Sequence, residues 1–231
     1  MDRLSFVVCT PSRGLVNSRT VESVAAILHE ADGLGLDYRG WVLSHDLPIP
    51  ACHETVAERA MATGADFLLW VEDDVIPPPG ALRMTVVALL EQDYDVVAID
   101  YPVGAAESAW GCIIRGEGDE ILWCGFGCTL IRRRVLETLG RPWFTTDWRY
   151  VRVVTGWEAV PVLVPDAQRY GQHDIHFFAR ARAAGFRIGQ VPGVIARHAR
   201  IEALGAEGTN CGTHRIAIRE RIERPWPGPS A

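Results

Sequence analysis

Five consecutive apolar residues, Phe67-Leu68-Leu69-Trp70-Val71, run straight into Glu72-Asp73-Asp74. A short, unbroken apolar run reads as a strand buried on both faces, the situation of a central strand in a parallel sheet covered by helices. In an open α/β sheet, ligands bind beyond the carboxyl ends of the strands. Three carboxylates packed there repel one another unless a positive partner neutralises them. A divalent cation holding a phosphorylated substrate is the simplest such partner.

The flanking sequence repeats a strand–helix rhythm. Leu4 to Cys9 reads as a strand, broken by Thr10-Pro11-Ser12-Arg13-Gly14. Ser18 caps a helix carrying Val21, Val24, Ala25 and Leu28 at helical spacing, closed by Gly33 and Gly35. Gly40 to Leu43 is a second strand and Cys52 to Thr63 a second helix. Phe67 to Val71 is followed by a helix over Ala81 to Glu91 and a strand over Val96 to Ile99. The βαβαβαβ order implies a parallel sheet with right-handed crossovers.

Beyond residue 104 the rhythm changes. Gly111–Ile114 and Ile121–Trp123 suggest a hairpin, Cys128–Ile131 a strand and Val135–Leu139 a helix. Residues 140–170 read as irregular, Asp174–Ala184 as a helix and Arg187–Val191 as a last strand. Arg219 to Arg224 reads as a charged helix face, or a closing lid, ahead of a loose tail.

Net charge is −6, which disfavours a general nucleic-acid binder. The positive charge is all arginine, with no lysine. This suits a GC-rich genome, and arginine suits bidentate phosphate contacts. The six cysteines form no CxxC pair, so they read as buried free thiols rather than a zinc ribbon. The chain shows no leader-like start and no apolar run of membrane-spanning length, which implies a cytoplasmic protein.

Four segments in order resemble a GT-A glycosyltransferase of the family 2 kind. They are Phe6 to Gly14; Gly64 to Asp74, with Glu72 and Asp74 in the outer positions of an acidic "DxD"; Gly125 to Arg133 followed by Pro142-Trp143-Phe144; and His173 to Ile188. The last is similar to the family's "ED…F…RA…G" helix, with His173 where the family commonly has glutamate. The resemblance implies an α/β, Rossmann-like, mostly parallel central sheet with flanking helices and a small antiparallel acceptor-side region. It implies one catalytic domain over 1–200 (donor half 1–104, acceptor half 105–200) and an extension over 201–231.

The chemistry implied is transfer of a sugar from a nucleotide sugar, a UDP-sugar by family habit, to an acceptor hydroxyl. Mn²⁺ or Mg²⁺ would steady the departing diphosphate, held by Asp74 and completed by His198, with His214 a weaker candidate. Thr10, Pro11, Ser12 and Arg13 would cradle the nucleotide, with Ser44, Asp46, Arg59, Glu72 and Asp73 beside them. Trp123, Gly125, Phe126, Gly127 and His173 would face the sugar or acceptor. Asp174 either caps its helix or removes the acceptor's proton in an inverting displacement; the resemblance favours the base. The acceptor stays open: polysaccharide, small molecule, protein, or the modified DNA a bacteriophage enzyme would use. Two other readings stand beside this one. A nucleotidyltransferase usually has a glycine-rich loop after the first strand, and Thr10–Gly14 is poor in glycine. A non-catalytic sugar- or nucleotide-binding module gains some weight from His173.

Overall fold

The computed structural model describes residues 3–12, 14–45, 47, 49–103, 110–118, 120–145, 148–153, 156–161, 173–204 and 217–222. In chain order the first half holds β1 (Ser5–Thr10), α1 (Ser18–Leu34), β2 (Asp37–Leu43), α2 (Ala51–Ala62), β3 (Phe67–Trp70), β4 (Val75–Ile76), α3 (Ala81–Glu91) and β5 (Val96–Asp100). Four short strands follow: β6 (Pro102–Val103), β7 (Trp110–Gly111), β8 (Ile114–Arg115) and β9 (Ile121–Trp123). The rest comprises β10 (Thr129–Arg132), α4 (Arg133–Leu139), β11 (Trp148–Val153), β12 (Gly156–Pro161), α5 (His173–Ala183), β13 (Ile188–Ile195), β14 (Arg197–Leu204) and β15 (Ala217–Ile222).

The central sheet has the order β13-β5-β10-β3-β1-β2. All its neighbours pair in parallel except β10, which is antiparallel to both β3 and β5. The sheet is therefore mixed, mostly parallel and α/β, as expected. β3 and β5, however, are not neighbours, because the antiparallel β10 is inserted between them.

Successive strand residues point to opposite faces, and each face has its own apolar core. Phe6, Val8, Phe67, Leu69, Val97 and Ile99 pack with Val24, Ile27 and Ala31 of α1 and Leu82, Val86 and Leu89 of α3. Val7, Cys9, Leu68, Trp70, Val96 and Ala98 pack with Val56, Ala57 and Ala60 of α2, Val135 and Leu136 of α4, and Phe177 and Phe178 of α5. Burial on both faces is why β3 is apolar throughout. The five cysteines among the described residues are buried free thiols.

Several local expectations are corrected. Asn17, not Ser18, caps α1, its side chain accepting the Arg19 N–H at 2.8 Å. Gly111 pairs with Pro102, so only Ile114–Arg115 forms the hairpin with β9. The stretch read as irregular contains the antiparallel pair β11–β12. Residues 217–222 are a strand paired with β14, not a helix. β14 runs through residue 200, from Arg197 to Leu204. No helix among the described residues is long and apolar enough to cross a membrane.

Candidate active site

β1, β2 and β3 are parallel, so their carboxyl ends lie along one edge of the sheet. A cleft of about 130 Å³ opens there, lined by Pro11, Ile49, Cys52, His53, Glu72, Asp73, Asp74 and His198. A larger groove of about 580 Å³ lies between α3 and β13. Its lining includes Glu91 and Arg115 but neither a histidine nor paired carboxylates.

The acidic turn is pinned from four directions. The Glu72 N–H donates to the Gly127 carbonyl at 3.3 Å, and the Asn17 N–H to the Asp73 carbonyl at 2.8 Å. The Ala199 N–H donates to the Asp74 carbonyl at 2.7 Å. Thr20 on α1 donates its hydroxyl to the Val75 carbonyl at 2.9 Å. β14 lies antiparallel to β4 with His198 opposite Val75, which brings the imidazole to Asp74 across 124 residues of sequence.

His198 Nδ1 donates to the Pro102 carbonyl at 2.9 Å, and Nε2 lies 3.0 Å from Asp74 Oδ2. A carbonyl only accepts, so the proton on Nδ1 is fixed and Nε2 is the atom turned to the carboxylate. Burial works against a charge on this ring. The hydrogen bond and charge of Asp74, with help from Pro102 and Glu72, outweigh it and hold the pKa above its ordinary value. Two ligands at about 2.1 Å from one cation at a right angle stand about 3 Å apart. Oδ2 and Nε2 therefore fit neighbouring positions on a single divalent ion.

Asp174 opens α5 and accepts the Ile175 N–H at 2.8 Å. Its carboxyl is pushed up to about 7, chiefly by desolvation, with the charge of Glu72 adding and the Ile175 bond opposing. A carboxyl with that value changes protonation near neutrality, the property a general base needs.

Two residues that sequence reasoning missed shape the site. Tyr101, just after β5, donates its hydroxyl to Glu72 Oε2 at 3.3 Å and accepts the Gly127 N–H at 3.2 Å. His53 projects from the buried face of α2 and meets His173. Its signal was an imidazole in the apolar stripe with Val56, Ala57 and Ala60.

The other expected residues divide into cleft and scaffold. Pro11, Glu72, Asp73, Asp74 and His198 line the cleft. Thr10 is buried and accepts the Trp41 indole N–H at 2.9 Å. Ser12 donates its N–H to Ser44 Oγ at 3.0 Å, and Ser44 returns its hydroxyl to the Ser12 carbonyl at 3.2 Å, which staples the first two loops together. Arg59 donates to the Leu43 carbonyl at 2.9 Å and does not line the cleft. Phe126 is fully buried, ringed by Trp70, Phe144, Phe177 and Phe178. Trp123 packs against that core with its indole nitrogen buried and without a hydrogen-bond partner among the described residues. His173, expected to face the sugar or acceptor, is buried, 7% exposed. Arg13, Asp46 and His214 lie outside the described residues.

Gly125 and Gly127 have a structural reason that the sequence did not reveal. A Cβ on Gly125 would sit 2.0 Å from the Tyr101 hydroxyl, and one on Gly127 2.6 Å from both the Tyr101 ring and Val75. The close approach at both positions is made by Tyr101. Gly125→Ala is expected to displace the hydroxyl from Glu72 and to cost about 1–3 kcal/mol by overpacking. At roughly 2–4 °C per kcal/mol, thermal unfolding should show a loss of several degrees; an unchanged Tm would contradict the packing described.

No protein-family model and no curated protein matches the chain. Solved structures do. The crystal structure of A197 from STIV aligns with a TM-score of 0.53 and 21% identity over 85% of each chain. The catalytic domain of Drosophila β1,4-galactosyltransferase 7, in complex with xylobiose, aligns with a TM-score of 0.47 and 13% identity, over 83% of this chain and 66% of that one. TarS 1–349 from S. aureus aligns with a TM-score of 0.47 and 12% identity, over 84% of this chain and 59% of that one. The likeness to A197 is one of fold, and glycosyltransferases are among the structures this chain resembles.

Proposed function

We propose that the chain is a metal-dependent glycosyltransferase of the GT-A type. In this reading it moves a sugar from a nucleotide-sugar donor, a UDP-sugar first among them, to an acceptor hydroxyl with inversion. The observation that carries the reading is the pairing of Asp74 Oδ2 with His198 Nε2 at 3.0 Å in a cleft at the carboxyl ends of three parallel strands. Asp74 and His198 would hold Mn²⁺ or Mg²⁺, which supplies Lewis-acid stabilisation to a departing diphosphate.

The chain's own residues would do the rest. Pro11 and the stapled Ser12–Ser44 loops form a floor for the nucleotide. Tyr101 fixes one oxygen of Glu72, so the carboxylate presents the other to the cleft. Asp174 would take the acceptor's proton as its oxygen attacks the anomeric carbon and the bond to the diphosphate breaks on the opposite side. The β14–β15 pair, which carries His198, would form part of the catalytic unit, and the remainder of 201–231 its extension.

A donor screen by thermal shift tests this. A donor at about a hundredfold its Kd adds roughly 2.7 kcal/mol to the native state, or about 5–10 °C in a chain of this size. The expected result is a shift with a UDP-sugar that needs Mn²⁺ or Mg²⁺. No shift with any nucleotide sugar, in either presence or absence of the cation, would overturn the proposal.

A further inference from the structure

Beside the Asp74–His198 pair sits a group of side chains of which the proposed transfer uses only Glu72. His53 and His173 are 2% and 7% exposed, and their Nε2 atoms are 3.0 Å apart. Glu72 Oε1 lies 3.5 Å from His53 Nε2, and one ligand atom from each of the three falls within 4.8 Å of the others. We propose that His53, His173 and Glu72 form a second cation site, one selective for a transition metal of the zinc(II) class.

The spacing fits such an ion. Zinc holds imidazole nitrogens at 2.0–2.1 Å in a tetrahedral shell, which sets neighbouring donor atoms about 3.3 Å apart. The donor set of two imidazoles and one carboxylate suits zinc, cobalt or nickel, whereas magnesium prefers oxygen throughout. Two protein nitrogens and one carboxylate oxygen leave a fourth position. His53 and Glu72 both line the cleft, so water or a cleft-bound ligand would complete the shell.

The surroundings hold the ligands ready. The His53 ring stacks on Trp70 and is flanked by Phe126 and Phe144, and the same two phenylalanines border His173. His53 Nδ1 faces Cys52 Sγ at 3.2 Å, which leaves Nε2 as its inward-facing atom. Burial keeps both histidines neutral near pH 7, the form that ligates. Packing alone does not account for the pair. Two facing imidazoles make one hydrogen bond between them, and His173 Nδ1 has no partner among the described residues, with the apolar rings of Phe126 and Phe144 beside it.

The proposal stands apart from glycosyl transfer, and its test needs no turnover. Chelator-treated full-length protein would be titrated with Co²⁺ and followed by visible absorption. The expected result is a one-equivalent, four- or five-coordinate Co²⁺ spectrum that Zn²⁺ displaces. It should persist in Asp74→Asn and His198→Gln and vanish in His53→Gln and His173→Gln. Should those two buried variants fail to fold, Glu72→Gln decides: Co²⁺ affinity at least tenfold weaker supports the site, and unchanged affinity overturns it. No spectrum in the unsubstituted protein overturns it as well. So does a spectrum lost only in Asp74→Asn and His198→Gln, which would place the cation at the first pair and leave the glycosyl-transfer reading intact.

Discussion

Asp74→Asn should abolish the cation-dependent shift with nucleotide sugar and lower turnover by at least about a hundredfold. The substitution keeps the shape of the side chain and removes its charge. The backbone around it is unaffected, because the Asp74 carbonyl receives the Ala199 N–H whatever the side chain. His198 stays tied to Pro102 through Nδ1, so the imidazole still points at the cleft. What disappears is the anionic oxygen beside Nε2, and with it a hard ligand for a hard cation. Asp73→Asn, one residue earlier, is the control. Its carbonyl holds the start of α1, a bond that the side-chain change leaves alone, and it should lower turnover far less. Isothermal titration with Mn²⁺ and a turnover assay on both variants would check this. Intact cation uptake and turnover in Asp74→Asn would sink the reading of the cleft.

The sequence made part of this site legible, and the division has physical causes. β3 was readable because a strand buried on both faces has no polar position to confuse the pattern, and its acidic terminus marks the sheet edge. The direction of β10 was not readable. Thr129–Arg132 has the composition of a strand, but nothing local encodes whether it runs with or against its neighbours. β15 shows the opposite failure. Ile218 and Ile222 lie four residues apart, a spacing that one face of a strand and one face of a helix both allow, and the charged Arg219, Glu220 and Arg221 between them read as a helix face. His198 was named from resemblance, yet its partner could be found only in space, because β14 returns to β4 from far along the chain. Tyr101 and His53 stayed hidden for a related reason. A tyrosine after a strand and a histidine on a helix are ordinary until the fold sets them against Glu72.

Asp174→Asn should lower the turnover rate by about 10²–10⁴-fold while leaving donor binding near its original strength. The amide keeps the oxygen that accepts the Ile175 N–H, and asparagine caps helices as well as aspartate does. A residue needed only for capping would therefore tolerate the change with turnover intact. A base would not, because the amide cannot take a proton. The pH profile separates the roles further. With its carboxyl at about 7, the unsubstituted enzyme should gain rate as pH rises through that value and then level off, and the variant should lose that limb. Stability should move the other way. In metal-free protein the folded-state value of about 7 lies above the ordinary 3.8, so the folded form keeps a proton that the unfolded chain has already released. This group's contribution is fully present below pH 3.8 and is lost as pH rises through about 7. At pH 8 a charged carboxylate is held in a desolvated position, and the neutral amide relieves it. Asp174→Asn should accordingly raise the Tm by a few degrees at pH 8 and leave it nearly unchanged at pH 3.5. A variant that is more stable at pH 8 and almost inactive would mark Asp174 as a residue kept for proton transfer at the expense of the fold. Turnover within threefold of the original, together with a lower Tm, would return it to the role of a helix cap.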